Sequence, residues 1–242
     1  MKKMMGICRV SVLGLIALVL RWQLYRTAVD EKGLLPRMHP LSIALLVLTA
    51  AVLLLIYFTV RKQEESADFE ERRPRSVPAA LGHALMAGSI LTTVLAGGPQ
   101  TLGYLAAVWK WLGITAPLCL ILAGTDRMRG RKPSFLLHVV PCLFFVVHIV
   151  CHYQTWSGNP QMQDYVFALL GAMALMFFGF YTAAMEAGCG SRRMLLGMGL
   201  AAIYLCLAEV AHSAYPWLYL AGMLWVMTDL HSLGTPVPAE KE

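Results

Sequence analysis

The sequence predicts an all-α integral membrane protein with about eight transmembrane helices, folded as one polytopic domain over residues 1–242. Three observations predict it. The chain is 58% hydrophobic and only 14% charged, whereas a soluble domain carries about 25% charged residues. Its mean hydropathy is +0.61, so it lacks the polar surface needed to face water all round. Apolar runs of roughly 17 to 25 residues recur along the whole length, as a bilayer about 30 Å thick requires.

The first predicted span, about 5–24, opens "MKKMMGICRVSVLGLIALVLRWQ". Its basic start and apolar run resemble a signal peptide, but no small-x-small cleavage pattern precedes Arg21. An uncleaved helix is therefore predicted. The remaining spans fall at about 41–60, 79–97, 103–124, 134–153, 164–186, 194–212 and 215–230. Between them lie polar or helix-breaking separators such as "DEKGLLPRMHP", "GGPQ", "TDRMRGRKP", "SGNPQ", "AGCGSRR" and "HSAYP". Residues 61–78 mix both signs of charge and read as a solvated cytoplasmic loop.

Lys and Arg placement sets the orientation. With both termini inside, Lys2, Lys3, Arg9, Arg61, Lys62, Arg72, Arg73, Arg75, Arg127, Arg129, Arg131, Lys132, Arg192, Arg193 and Lys241 are all cytoplasmic. Arg21, Arg26, Lys32 and Arg37 dissent, falling in the first outer loop. The pattern fits a plasma membrane protein, and the excess of positive charge marks headgroup contact, not nucleic-acid binding. The six cysteines form no CxxC and read as small core residues. Echoes such as "GYLAAVWKW" and "LYLAGMLWVM" hint at a weak 4+4 repeat of the kind seen in transporters.

Span three carries Ala80, Ala84, Gly88, Thr92 and Ala96 on one face. Small residues at that spacing let helix backbones approach closely, within the bundle or against another membrane subunit. Gly171 and Gly179 in span six invite the same reading.

Span five holds the informative polar residues. His138, Pro141, Phe145, His148 and His152 recur at offsets of three and four and form one stripe. Ionisable residues at membrane depth are costly and often functional. His83 of span three lies level with His138 near the cytoplasm. Glu209 and His212 of span seven, Asp164 and Lys110 lie towards the outside with His148 and His152.

Four readings follow. In the first, the stripe marks only the face turned from lipid. The second is an outer-half binding site for a small solute or ion, lined by Lys110, His148, His152, Glu209 and His212, with Lys110 paired to Glu209. The third is a divalent metal on His148 and His152, completed by Glu209 or His212. The fourth is haem: His138 and His152 are about 21 Å apart along the helix, a spacing similar to the stacked haems of the membrane cytochromes b. That resemblance implies His83 and His212 as partner ligands, although Gly97 stands where a second histidine of span three belongs.

There is no GxxxxGK[ST], HExxH or GxSxG, so no catalytic residue is assigned and ATP-driven pumping is not expected. A transporter-like or solute-binding membrane protein is the leading expectation. The alternatives are a haem- or metal-binding anchor of an electron-transfer complex and a non-catalytic membrane partner.

Overall fold

The computed structural model describes residues 2–28, 39–61, 75–97, 103–156, 158 and 162–233. Most of the charged loop 61–78 lies outside the described residues, as do Lys32 and Arg37. Among the described residues there are eight helices and no strand: α1 (Lys2–Thr27), α2 (Pro40–Arg61), α3 (Val77–Leu95), α4 (Tyr104–Arg129), α5 (Leu136–Trp156), α6 (Met162–Glu186), α7 (Arg192–Val210) and α8 (Pro216–Ser232).

Seven of these are long and apolar enough to cross a membrane. The eighth differs from the sequence expectation. α8 has 17 residues, a length of about 26 Å against the roughly 30 Å hydrocarbon layer. Leu46, Val47, Leu54, Leu81, Leu118 and Phe180 are exposed on the bundle's flanks, as a lipid-facing surface requires. The molecule is a multi-pass helical bundle of the membrane type.

Helices α3 to α8 form a ring, each packed on the next and α8 closing back on α3. α1 and α2 pack together outside that ring, chiefly against α7. Neighbours in the ring run antiparallel, so one end of the bundle gathers the starts of α3, α5 and α7 and the ends of α4, α6 and α8. That end is called the terminal end here, since α1 also begins and α8 finishes there. Along the ring's interior Met86, Ile90, Phe144, Leu175, Phe178 and Trp225 are fully buried and fill the core.

Local chemistry sets where the helices stop. Ser76 caps α3, its Oγ accepting from Ala79 N–H at 3.2 Å, and a proline follows in the first turn. α4 runs past its predicted end at 124 because "TDRMR" stays helical. It stops at Gly130, which takes the left-handed conformation with φ of 69° while Arg131 N–H reaches back to the Asp126 carbonyl at 2.9 Å. Gly188, with φ of 80°, ends α6 in the same way, and Cys189 N–H donates to the Ala184 carbonyl at 3.0 Å. These two stops put Arg127 and Glu186 in the last turns of their helices.

Beyond Ala80, which is buried against α4 at Gly124, the small-residue stripe of α3 is not the face on which this chain packs. Ala84, Gly88, Thr92 and Ala96 are exposed, and a Cβ at Gly88 would meet nothing within 4 Å. The adjacent face does the packing. A Cβ at Gly82 would lie 2.1 Å from Thr228 Oγ1 and 3.0 Å from the Trp225 Cα. One at Gly124 would lie 3.2 Å from His83 Cβ. A Cβ at Gly171 would press on Tyr219 at 3.2 Å, and one at Gly179 on Cys142 Sγ at 3.0 Å.

The cysteines are all free: Cys142, Cys151 and Cys206 are buried, Cys119 is half-buried, and Cys8 and Cys189 are exposed. The core reading therefore fails for Cys8 and Cys189.

Candidate metal centre

Gly82 and Gly124 draw α8 and α4 against α3 at the level of His83, and Gly179 draws α6 onto α5 beside His138. Five helices thus converge on one buried cluster at the terminal end. His83 and His138 are fully buried, Asp229 and Arg127 are 2% exposed, and Glu186 is 5% exposed.

The two imidazoles meet with Nε2 3.1 Å from Nε2. Their other nitrogens fix the tautomers. His83 Nδ1 is 2.8 Å from the Ala79 carbonyl oxygen; a carbonyl only accepts, so Nδ1 carries the proton and Nε2 presents a lone pair. Trp225 Nε1–H donates to that Nε2 at 3.2 Å. His138 Nδ1 is 2.7 Å from Glu186 Oε2, which likewise turns a neutral His138 Nε2 into a lone pair. Two lone pairs that close repel unless a cation lies between them, either a proton on His138 or a metal ion.

Asp229 completes the group. Its Oδ2 is 3.9 Å from His83 Nε2, and the three candidate ligand atoms of His83, His138 and Asp229 all lie within 4.8 Å of one another. Asp229 Oδ1 accepts from Arg127 Nη2 at 2.8 Å, and Ser232 Oγ lies 3.5 Å from the same nitrogen. Histidine oriented by a carboxylate or carbonyl through its second nitrogen is the usual support of a metal-ligating imidazole. His83, His138 and Asp229 could hold a divalent ion, with Ala79 and Glu186 orienting the rings.

The other residues singled out from sequence do not gather into one site. Lys110 is exposed on α4, and Glu209 is paired not with it but with Arg21 of α1. Arg21 also donates to the Ala208 carbonyl at 3.2 Å and lies 4.9 Å over the Phe167 ring. His212 stacks on Tyr25 with ring centroids 3.5 Å apart, not beside His152. Asp164 begins α6, its side chain outside the described residues.

His148 and His152 do adjoin, with centroids 4.2 Å apart, inside an aromatic lining. Tyr215 approaches His152 at 5.2 Å. Trp109 Nε1–H donates to His148 Nδ1 at 3.3 Å, and His148 Nε2 is buried with no hydrogen-bond partner among the described residues.

The residues that haem ligation would pair are not arranged as axial pairs in this structure. His83 and His138 touch through the nitrogens that would have to flank a macrocycle, and His212 is engaged by Tyr25.

Arg127, Glu186, Trp225 and Asp229 were not singled out from sequence. Asp229 and Glu186 carried a usable signal, since each is a carboxylate at the end of an otherwise apolar helix. Arg127 carried a misleading one, since it stands among loop-like basic residues.

Fold and cluster together define a multi-pass helical bundle with a buried histidine–carboxylate centre at one end. No protein-family model, no curated protein and no solved structure matches the chain.

Proposed function

We propose that the protein is a membrane-embedded metalloprotein that holds one divalent ion of the zinc type on His83, His138 and Asp229. The observation that carries this reading is the facing pair of Nε2 atoms at 3.1 Å, each on a ring whose other nitrogen is bonded to an oxygen, of Ala79 or of Glu186. Zinc–nitrogen bonds are about 2.0–2.1 Å, so an ion between the two rings needs only a few tenths of an ångström of separation. A swing of the Asp229 carboxylate about Oδ1 brings Oδ2 into reach while Arg127 keeps its bond. Trp225, whose Nε1–H donates to His83 Nε2 at 3.2 Å, would give up that bond to a bound ion.

Three protein ligands leave a fourth position open, the arrangement of reactive rather than structural zinc. The chemistry that such an ion would supply, held by His83, His138 and Asp229, is Lewis-acid polarisation of an oxygen. The chain's own residues do the rest: Ala79 and Glu186 orient the imidazoles, Arg127 steadies Asp229, and the surrounding helices exclude water.

Metal analysis and cobalt spectroscopy of the purified full-length protein test this. The wild type is expected to take up one equivalent of Zn²⁺ or Co²⁺, with the visible bands of four-coordinate cobalt. His83→Ala, His138→Ala and Asp229→Asn should each abolish them, while His148→Ala with His152→Ala leaves them intact. A wild type that stays metal-free after loading retires the reading.

One observation favours a second reading, a solute site at the opposite end: the buried His148 Nε2 has no hydrogen-bond partner among the described residues. Solute uptake that responds to His148→Leu but not to His83→Ala would support it.

A further inference from the structure

The last turn of α4 places its two arginines differently: Arg127 is buried inside the bundle, whereas Arg129 is exposed. Arg129 and Arg131 flank Gly130, the left-handed residue that ends the helix, and Lys132 follows; all three are exposed. Exposed Arg75, just ahead of the Ser76 cap of α3, reaches the same turn. A Cβ at Gly130 would lie 2.9 Å from Arg75 Cγ and 3.4 Å from its Nε. Four cationic residues therefore gather at one turn.

The protein does little to neutralise them. None of the four forms an ion pair among the described residues. Asp126 is the nearest carboxylate in sequence and is half-buried in α4. Glu186 and Asp229, at the same end, are buried and engaged with His138 and Arg127. α3 and α5 both start beside this turn, and their two positive dipole ends outweigh the one negative end of α4. The opposite end differs: its exposed Lys and Arg among the described residues are Lys110 and Arg26.

Large apolar side chains accompany the charge. Met128, Phe135 and Leu136, on either side of the turn in sequence, are exposed. Exposed cations next to exposed apolar side chains suit the boundary between lipid headgroups and acyl chains. A soluble anion would leave the apolar side chains without a role.

We propose that the turn between α4 and α5, together with Arg75, binds the headgroup of an anionic phospholipid whose acyl chains lie along Met128, Phe135 and Leu136. Guanidinium groups suit phosphate oxygens, and each basic residue at such a surface strengthens binding about fivefold. The inference stands on surface charge and is independent of the metal reading.

Native mass spectrometry of the full-length protein in neutral detergent tests it, with phosphatidylglycerol and phosphatidylcholine of the same acyl chains supplied in equal amounts. The wild type should retain phosphatidylglycerol at least about tenfold over phosphatidylcholine. Arg129→Gln together with Arg131→Gln should weaken phosphatidylglycerol binding about 25-fold. Arg26→Gln together with Lys110→Gln, at the opposite end, should leave it unchanged. All four side chains are exposed, so both variants should keep the wild-type unfolding midpoint. Excess glycerol 3-phosphate should not displace the lipid.

Equal retention of the two lipids overturns the inference on the wild type alone. Equal losses from the two double variants overturn it as well, since net charge and not this turn would then select the lipid. Displacement by glycerol 3-phosphate makes the occupant a soluble ester and removes the lipid. The acidic run Glu64, Glu65, Asp68, Glu70 and Glu71 is another anion near Arg75 in sequence. If Glu70→Gln with Glu71→Gln raises phosphatidylglycerol binding severalfold, that run occupies the turn and the proposal fails.

Discussion

The two ends of α5 carry the same residue type in opposite settings. At the terminal end, His138 meets a second imidazole and the Glu186 carboxylate, and that imidazole faces Asp229, which is held by the Arg127 guanidinium, all buried. At the far end, His148 and His152 meet each other, Trp109, Phe144 and Tyr215. The chemical potential of a buried histidine lies in what surrounds it. Charged partners surround the first pair. Aromatic partners make the second pair a piece of core with one polar atom left over.

Removing charge should separate the ends most. Asp229→Ala leaves Arg127 buried without its counter-ion and is expected to cost about 3–5 kcal/mol, read as the unfolding midpoint in detergent. Arg127→Leu together with Asp229→Leu should recover most of that. If the double change is no better than the single, the pair is not the reason.

Backbone approach comes next. Gly82→Ala drives a methyl into Thr228 and Trp225 and should destabilise by about 1–3 kcal/mol. Gly88→Ala on the exposed face of the same helix should stay within about 0.5 kcal/mol of wild type. Equal effects at the two glycines would dissolve the distinction between the packed and exposed faces of α3.

The smallest effect belongs to the far end. Trp109→Phe alone deprives His148 of a donor and should cost about 0.5–1.5 kcal/mol. Adding His148→Leu removes both partners and the unpartnered Nε2, returning stability to the wild-type level or above. A large loss from the double variant would mean that the far end, too, is a charged or liganded centre.

The fold was largely legible because it is written in runs of apolar residues and in breakers, which act locally. Span boundaries moved where a helix outlasted its hydrophobic stretch, as α4 does through Arg127 to Arg129. The site was legible in part. Matching depth placed His83 level with His138, and across the ring the structure brings their imidazoles into contact.

Partner choice was not legible, because it depends on which helices become neighbours. Lys110 and Glu209 share a depth, but α1 packs on α7 and brings Arg21 to Glu209 first. The same contact explains part of the dissent in the positive-charge count. Arg21 is 1% exposed inside a helix and tells nothing about which loop faces the cytoplasm. Arg127, counted as a loop residue, is a buried member of the cluster for the same reason.

The Arg21–Glu209 pair joins residues 188 positions apart. During synthesis α1 and α2 emerge long before α7, so Arg21 must wait at membrane depth while six further helices are made. Until then a guanidinium on an apolar helix favours staying near the interface or in the insertion machinery over open lipid. Arrival of Glu209 releases it. The buried pair can therefore form only once the seventh helix has been made, since Glu209 and the face on which α1 packs both belong to it. A chain truncated before Glu209 should leave its first helix exposed to quality control, however well the two helices are made.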